Sequence, residues 1–254
     1  MLQCPIELIR LTSEVGELQK DYTGVADLKP PQESLYKVHL QEGVPWLKLY
    51  SIDLPKSELL AYYVELKSLL AKYPPFSFLG ELGFEQILPF ACRCLKGELS
   101  SIREAAAKIG ASPASLQFFL QELLRPSFKS WAAFFRDYLS QDDWRLSICP
   151  VCGHLPIGGR HEKKEGHRYL LCSHCETEWR FNRVTCISCY NDDHKTLGYF
   201  TVEDVGNWRV SFCRQCNSYI KEVIGDEPAN IIDFELAMQL DILAKKEGFE
   251  PVKM

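Results

Sequence analysis

The chain has 254 residues, enough for one large or two ordinary domains, and its 46% apolar and 25% charged content is that of a globular protein. A net charge of −5 gives no reason to expect a polyanionic partner, and no apolar run approaches the length needed to cross a bilayer. The start, Met1-Leu2-Gln3-Cys4-Pro5, lacks the basic and apolar regions of a signal peptide, so Cys4 is not expected to be a lipid anchor. The eleven cysteines are therefore expected in a reducing, cytoplasmic compartment, where paired cysteines bind metal more often than they form disulfides.

In chain order, residues 1 to about 145 carry long apolar side chains at helical spacing. Leu59, Leu60, Tyr63, Leu66, Leu69 and Leu70 form one stripe. A second helix is predicted from Phe84 to about Leu95, with Pro89 kinking it or marking its start. An Ala-rich helix runs from Ser101 to Lys108 and stops at Gly110. Ser112-Pro113 then opens a helix through Leu124 that Pro126 closes. Phe128 to Leu139 carries a face of Trp131, Phe134, Phe135 and Tyr138. This region reads as an all-α bundle.

Beyond Trp144 the composition switches. Short β-prone runs appear at Tyr169–Leu171, Trp179–Phe181 and Trp208–Phe212. After Gly225 a closing helix with a stripe of Ile232, Leu236, Leu240 and Leu243 is predicted to end near Gly248 and to pack back on the strands. The fold class is thus α+β: an N-terminal all-α bundle (1–146), two tandem ribbon modules (147–183 and 184–254), and a C-terminal helix within the second.

The ribbons are defined by four C-x-x-C pairs: Cys149/Cys152, Cys172/Cys175, Cys186/Cys189 and Cys213/Cys216. A two-residue gap lets both thiolates of a pair turn toward one point, and two pairs supply four soft ligands for a tetrahedral metal. Nineteen residues lie between Cys152 and Cys172, and twenty-three between Cys189 and Cys213, but only ten between Cys175 and Cys186. The spacing therefore assigns Cys149, Cys152, Cys172 and Cys175 to one metal and Cys186, Cys189, Cys213 and Cys216 to another, with residues 176 to 185 as a linker. Small β-modules bury too little apolar surface to fold alone, so a structural metal is the plainest expectation. Four thiolates leave no open position for a hydrolytic water, and ligand type alone does not choose between zinc and iron.

Other chemistry is weakly supported. Residues 149 to 225 hold ten Lys/Arg against nine Asp/Glu, and two Cys4 centres bring the region to about −3. Its one basic cluster, Arg160, Lys163, Lys164 and Arg168, is interleaved with Glu162 and Glu165, which argues against nucleic-acid binding. Thiol–disulfide exchange would call for a βαβ context that is missing. His154 and His174 stand beside knuckle cysteines and can donate to sulfur, whereas His161, His167 and His194 read as solvated loop residues. Cys92 and Cys94 fall on different faces of a helix and are not expected to be ligands. Glu178, Trp179 and Arg180 form either a recognition patch or a tryptophan covering the metal core with solvated charges beside it.

The motif Cys149-Pro150-Val151-Cys152-Gly153 with Pro156 is followed by Tyr169-Leu170-Leu171-Cys172-Ser173-His174-Cys175. Thr177-Glu178-Trp179-Arg180, Arg183 and Cys186-Ile187-Ser188-Cys189 come next. Together these resemble the FdhE family of formate dehydrogenase accessory proteins, and Cys213-Arg214-Gln215-Cys216 with Tyr219-Ile220-Lys221 and the closing helix fits the same pattern. The resemblance is sharp from Cys149 to Lys221 and rests on size and helical character before that. It implies a helical domain followed by two rubredoxin-like modules, iron held by the cysteines with zinc as the alternative, and no enzymatic activity. It further implies a cytoplasmic assembly or quality-control factor that binds the catalytic subunit of formate dehydrogenase, with no nucleic acid or membrane partner. A nucleic-acid-associated zinc-ribbon protein and a rubredoxin-like electron carrier are the alternatives.

Overall fold

A computed structural model of the chain describes residues 5–22, 28–95, 102–140, 142–201 and 206–253, so the predicted helix start at Ser101 and the question of Cys4 lie outside the described residues. The fold is α+β. Six helices come first: α1 (Ile6–Lys20), α2 (Glu33–Glu42), α3 (Lys56–Leu70), α4 (Phe84–Leu95), α5 (Ile102–Lys108) and α6 (Pro113–Phe135). Strands follow: β1 (Pro156–His161), β2 (Arg168–Cys172), β3 (Glu178–Phe181), β4 (Leu197–Thr201), β5 (Trp208–Cys213) and β6 (Ser218–Ile224). Helices α7 (Ile231–Leu236) and α8 (Met238–Lys246) and the short β7 (Glu250–Pro251) end the chain. No helix among the described residues is long and apolar enough to cross a membrane.

The chain forms two compact units, neither continuous in sequence: Arg10–Leu28 with Ile52–Phe134, and Met1–Ile9 with Lys29–Ser51 and Phe135–Met254. The first unit is helical. Its α3 buries Leu59, Tyr62, Tyr63, Leu66 and Leu70, which recur at three- and four-residue spacing. Of the predicted stripe Leu59, Tyr63, Leu66 and Leu70 are buried, Leu69 is half-buried and Leu60 faces out, while Tyr62, whose ring lies 4.5 Å from that of Tyr22, faces in. Ser112 caps α6 by accepting from the Ser115 N–H at 3.0 Å, and Gly110 takes a positive φ of 67° just before it.

Pro126 does not stop α6, which runs on to Phe135. Its missing N–H removes one rung, yet Leu116, Phe119, Leu123, Phe128 and Trp131 are buried on both sides of it, so packing on either flank holds the helix together. One turn before the proline, a buried Glu122–Arg125 ion pair at 2.6 Å is completed by Gln19, which donates to Glu122 at 2.8 Å. Pro89 likewise sits within α4 and does not mark its start.

The second unit is built on one sheet in the order β3-β2-β1-β6-β5-β4, with β7 also paired to β6. Each ribbon is a three-stranded antiparallel meander, β1-β2-β3 and β4-β5-β6. The two are joined by a parallel seam between β1 and β6, with Gly159 opposite Glu222 and His161 opposite Ile224. Residues 176 to 185, expected as a linker, contain β3, so the connection between the ribbons is shorter than the cysteine gap suggests.

The expected closing helix is two short ones, broken at Ala237. Its buried positions are Ile231, Phe234, Ala237, Leu240 and Ala244; of the predicted stripe Leu240 is buried, Ile232 packs half-buried against the cluster of Leu171, Ile231 and Phe234, and Leu236 and Leu243 are half-buried. α8 packs on the second ribbon as predicted: Leu240 and Ala244 cluster with Val210 and Tyr219. Asp241 accepts from the Tyr219 hydroxyl and from Lys221 Nζ, both at 2.8 Å.

Phe234 lies over Gly158 so closely that any Cβ there would fall inside the ring. Gly158→Ala is therefore expected to destabilise the fold by about 1–3 kcal/mol, the usual penalty of overpacking. Urea unfolding measures it, and an unchanged midpoint would show that the α7 contact yields freely.

Candidate metal centres

Four tight turns present the eight cysteines, those of Cys172 and Cys213 at the β2–β3 and β5–β6 hairpins and those of Cys149 and Cys186 ahead of β1 and β4, and all four are built alike. The backbone N–H of the first cysteine bonds to the carbonyl five residues on: Cys149 to His154 at 2.9 Å, Cys172 to Thr177 at 3.0 Å and Cys186 to Asn191 at 2.8 Å. Cys213 and Ser218 are paired across β5 and β6 at the same separation. The residue after each second cysteine is left-handed: Gly153 (φ 78°), Glu176 (58°), Tyr190 (57°) and Asn217 (54°). That conformation reverses the chain tightly enough to turn both thiols of a pair to one side. Three of the four positions are not glycine, so the signal was absent from the glycine pattern.

The tips meet in the pairing that the spacing predicts. The sulfurs of Cys149, Cys152, Cys172 and Cys175 lie within 4.8 Å of one another, as do those of Cys186, Cys189, Cys213 and Cys216. In the first quartet Cys149–Cys175, Cys152–Cys172 and Cys152–Cys175 are 3.4, 3.3 and 3.5 Å apart. In the second, Cys186–Cys216 and Cys189–Cys213 are 3.6 and 3.8 Å apart. A tetrahedral ion with bonds of about 2.3 Å to sulfur sets its ligands about 3.8 Å apart, whereas a disulfide needs about 2.0 Å. The described cysteines are all free. Each quartet therefore has the donor set and size to hold one metal ion.

Electrostatics favour the same reading. Burial, reinforced by the neighbouring thiols, pushes the Cys152 thiol well above its ordinary value, and burial raises Cys189 to about 12. Crowded thiols resist becoming four thiolates unless a cation joins them. Donors are already aimed at the sulfurs. The N–H groups of His174 and Cys175 reach Cys172 Sγ at 3.4 and 3.5 Å, and Thr177 Oγ1 lies 3.1 Å from Cys175 Sγ. Asn191 Nδ2 donates to Cys213 Sγ at 3.6 Å, and Ser218 Oγ lies 3.1 Å from Cys216 Sγ.

The histidines divide differently from expectation. The rings of His154 and His174 stack on each other, centroids 3.6 Å apart, and it is the His174 backbone that donates to sulfur. His194 is exposed as predicted, and His167 sits half-buried between Glu162 and Glu165 at 3.4 and 3.3 Å. His161, read as a solvated loop residue, is instead in β1 and buried.

His161 belongs to a charge cluster at the seam that sequence reasoning missed. Glu222 is 0% exposed. Its carboxylate accepts from Arg168 Nε at 2.7 Å, Arg209 Nε at 3.1 Å and the Ser211 hydroxyl, and lies 3.0 Å from His161 Nε2, which Arg209 also approaches. Gly159, opposite, leaves the room that the Glu222 side chain occupies. Burial alone would raise the Glu222 carboxyl, but Arg168, His161 and Arg209 outweigh it and hold the group well below the usual range. Arg160 is also buried, paired to Glu178 at 3.1 Å and stacked 4.5 Å from the Tyr169 centroid. The apparent basic cluster is thus no surface patch, because two of its four members face inward.

Of the three residues weighed as a recognition patch, Trp179 is buried and donates its indole N–H to the Leu146 carbonyl at 2.9 Å. Glu178 is paired to Arg160, and Arg180 is bound to Asp142 at 2.6 Å. Cys92 and Cys94 lie on α4, and neither joins either quartet.

Fold and sites together define a helical protein that carries two four-cysteine ribbons merged in one sheet. Residues 148–183 match the family described as FdhE, central domain. The chain is 29% identical over 220 residues to "Protein FdhE homolog" of Aquifex aeolicus (strain VF5), covering 84% of this chain and 74% of that protein. It is 32% identical over 156 residues to the protein of the same name from Pseudomonas putida, covering 57% of this chain and about half (48%) of that one. The crystal structure of the FdhE protein from Pseudomonas aeruginosa shares the fold, with a TM-score of 0.65 at 24% identity over 98% of this chain and 87% of that one. The resemblance to the FdhE family is therefore borne out.

Proposed function

We propose that this protein is a non-enzymatic accessory factor for formate dehydrogenase, binding its catalytic subunit in the cytoplasm and carrying one metal ion in each cysteine quartet. The observation that carries this reading is the pair of ready-made tetrahedral thiol sites at the ribbon tips, in a chain similar to FdhE proteins over most of its length. Cys149, Cys152, Cys172 and Cys175 would hold the first ion, and Cys186, Cys189, Cys213 and Cys216 the second, each centre in its own module (147–183 and 184–254) that follows an all-α domain (1–146) in the sequence. Filled by four thiolates, such a centre has no coordination position left for substrate, which fits a docking protein better than a catalyst. The inward-facing Arg160 and Arg168 leave little positive surface for nucleic acid.

Anaerobic affinity purification of the tagged protein from its native host tests the reading. A formate dehydrogenase catalytic subunit is expected among the co-purifying proteins, and it should be lost when Cys172 and Cys175 are changed to Ala. Recovery of nucleic acid or ribosomal components in its place would overturn the proposal. Metal content should fall by one equivalent in Cys172→Ala and by the other in Cys186→Ala; if Cys152→Ala and Cys186→Ala emptied the same centre, the ligand pairing would be wrong.

A further inference from the structure

The two quartets share a donor set but not an environment. In the first, all four cysteines are buried, Cys149 and Cys172 completely. Its leading tip is also covered: the N–H groups of Trp46 and Leu47 donate at 2.9 Å to the carbonyls of Pro150 and Val151, the two residues between Cys149 and Cys152. Pro45 closes over Gly153, with its Cγ 3.0 Å from where a Cβ would stand. Trp46 is itself fixed, stacked on His39 at 4.1 Å and on Phe135 at 5.4 Å. The Pro45–Lys48 turn therefore lies over the Cys149–Cys152 tip, and Cys172 and Cys175 are themselves buried.

The last tip of the second quartet is held from its sides, by the Arg214 N–H donating to the Thr196 carbonyl and the Glu250 N–H donating to the Asn217 carbonyl, both at 2.8 Å, and among the described residues these bonds leave its outer face open. Cys186 and Cys213 are buried, but Cys189 is half-buried and Cys216 is exposed. The whole run Arg214–Asn217 faces solvent. Against the Cys216 sulfur lie the Ser218 hydroxyl at 3.1 Å and Cys186 Sγ at 3.6 Å.

Replacing a ligand on a closed d10 or ferric thiolate centre needs an incoming donor to reach the metal–sulfur bond, and thiolate reactivity follows exposure. We propose that the second centre exchanges its metal ion with external ligands through Cys216, whereas the first retains its ion until the fold opens locally. With an ion bound, an external donor would take the position of Cys216, whose Sγ would pass into water as a thiolate, and half-buried Cys189 would be the next to follow. No electrons are transferred. The inference rests on the metal-binding reading above and adds a division of labour to it: a fixed centre that holds the sheet and an exchangeable one that can give up or accept a thiophilic ion.

The test uses the full chain loaded with two equivalents of zinc and challenged with the chromogenic chelator 4-(2-pyridylazo)resorcinol. One equivalent should leave roughly tenfold or more faster than the other, since release from the covered site waits on local opening. Cys216→Ala should hold one equivalent and release it only in the slow phase, and Cys172→Ala should retain the fast phase. A second readout needs no variant to fold: brief treatment of the loaded wild-type protein with N-ethylmaleimide, followed by peptide mapping, should label Cys216 and then Cys189 before any cysteine of the first quartet. Equal release rates, or first labelling at Cys149 or Cys152, would overturn the inference while leaving metal binding intact. A chain that takes up no zinc would overturn both.

Discussion

Glu222→Gln is expected to lower the free energy of unfolding by about 3–5 kcal/mol, the range found when one partner is removed from a buried, hydrogen-bonded charge cluster. The amide keeps the shape of the carboxylate but not its charge, so Arg168 and Arg209 would be left in a dry seam with no counter-charge. The effect should fall on the joint between the ribbons, because Glu222 lies on β6 and its partners come from β1, β2 and β5. The pH dependence follows in sign. A carboxylate held below its unfolded value stabilises fully above about pH 4.3, and that contribution is lost as pH falls through the depressed native value. The gap between wild type and variant should thus be widest near neutrality and narrow in acid. Urea titrations at neutral pH and in acid measure it; a neutral-pH difference below about 1 kcal/mol would mean that water or movement relieves the arginines.

On the proposed metal-binding function, loss of an ion from the first quartet should be at least as damaging. Structural ions of this kind contribute on the order of 10 kcal/mol to small ribbons that are otherwise unfolded. Here a shared sheet carries part of that burden, so Cys149→Ala is expected to lower the melting temperature by roughly 10 °C or more. The same variant should bind one metal equivalent fewer and lose the fixed environment of Trp179, which is buried on β3 of that ribbon. Calorimetry and tryptophan fluorescence report both. A melting temperature within about 3 °C of wild type would remove the structural role from this centre.

The eight cysteines were legible because a cysteine knuckle is a local device: two residues set the gap within each pair, and the three gaps between pairs assign the partners. The helical stripe of α3 and the Ser112 cap were legible for the same reason, each being settled within a few turns. What escaped depends on residues far apart in the chain. Pro126 reads as a stop, yet apolar packing on both of its flanks carries α6 through it. Arg160, His161 and Arg168 read as a solvated polar stretch because their acidic partners, Glu178 and Glu222, lie on other strands. Strands β1 and β6 were missed for a related reason: their glycines and charges belong to a buried seam whose existence no local pattern announces.

That seam also sets a timetable. The first quartet is complete once Cys175 has been made, and the antiparallel strands around it can close as they emerge. β1, however, waits for β6, about sixty residues and several seconds of synthesis later at roughly 5–20 residues per second. During that interval one edge of β1 is bare and His161 and Arg168 lack their carboxylate, so the nascent chain passes through a stage with an unpaired edge, the condition under which strands pair with the wrong neighbour. An ion already seated in the first quartet would hold that half-made sheet in register until its second half arrives.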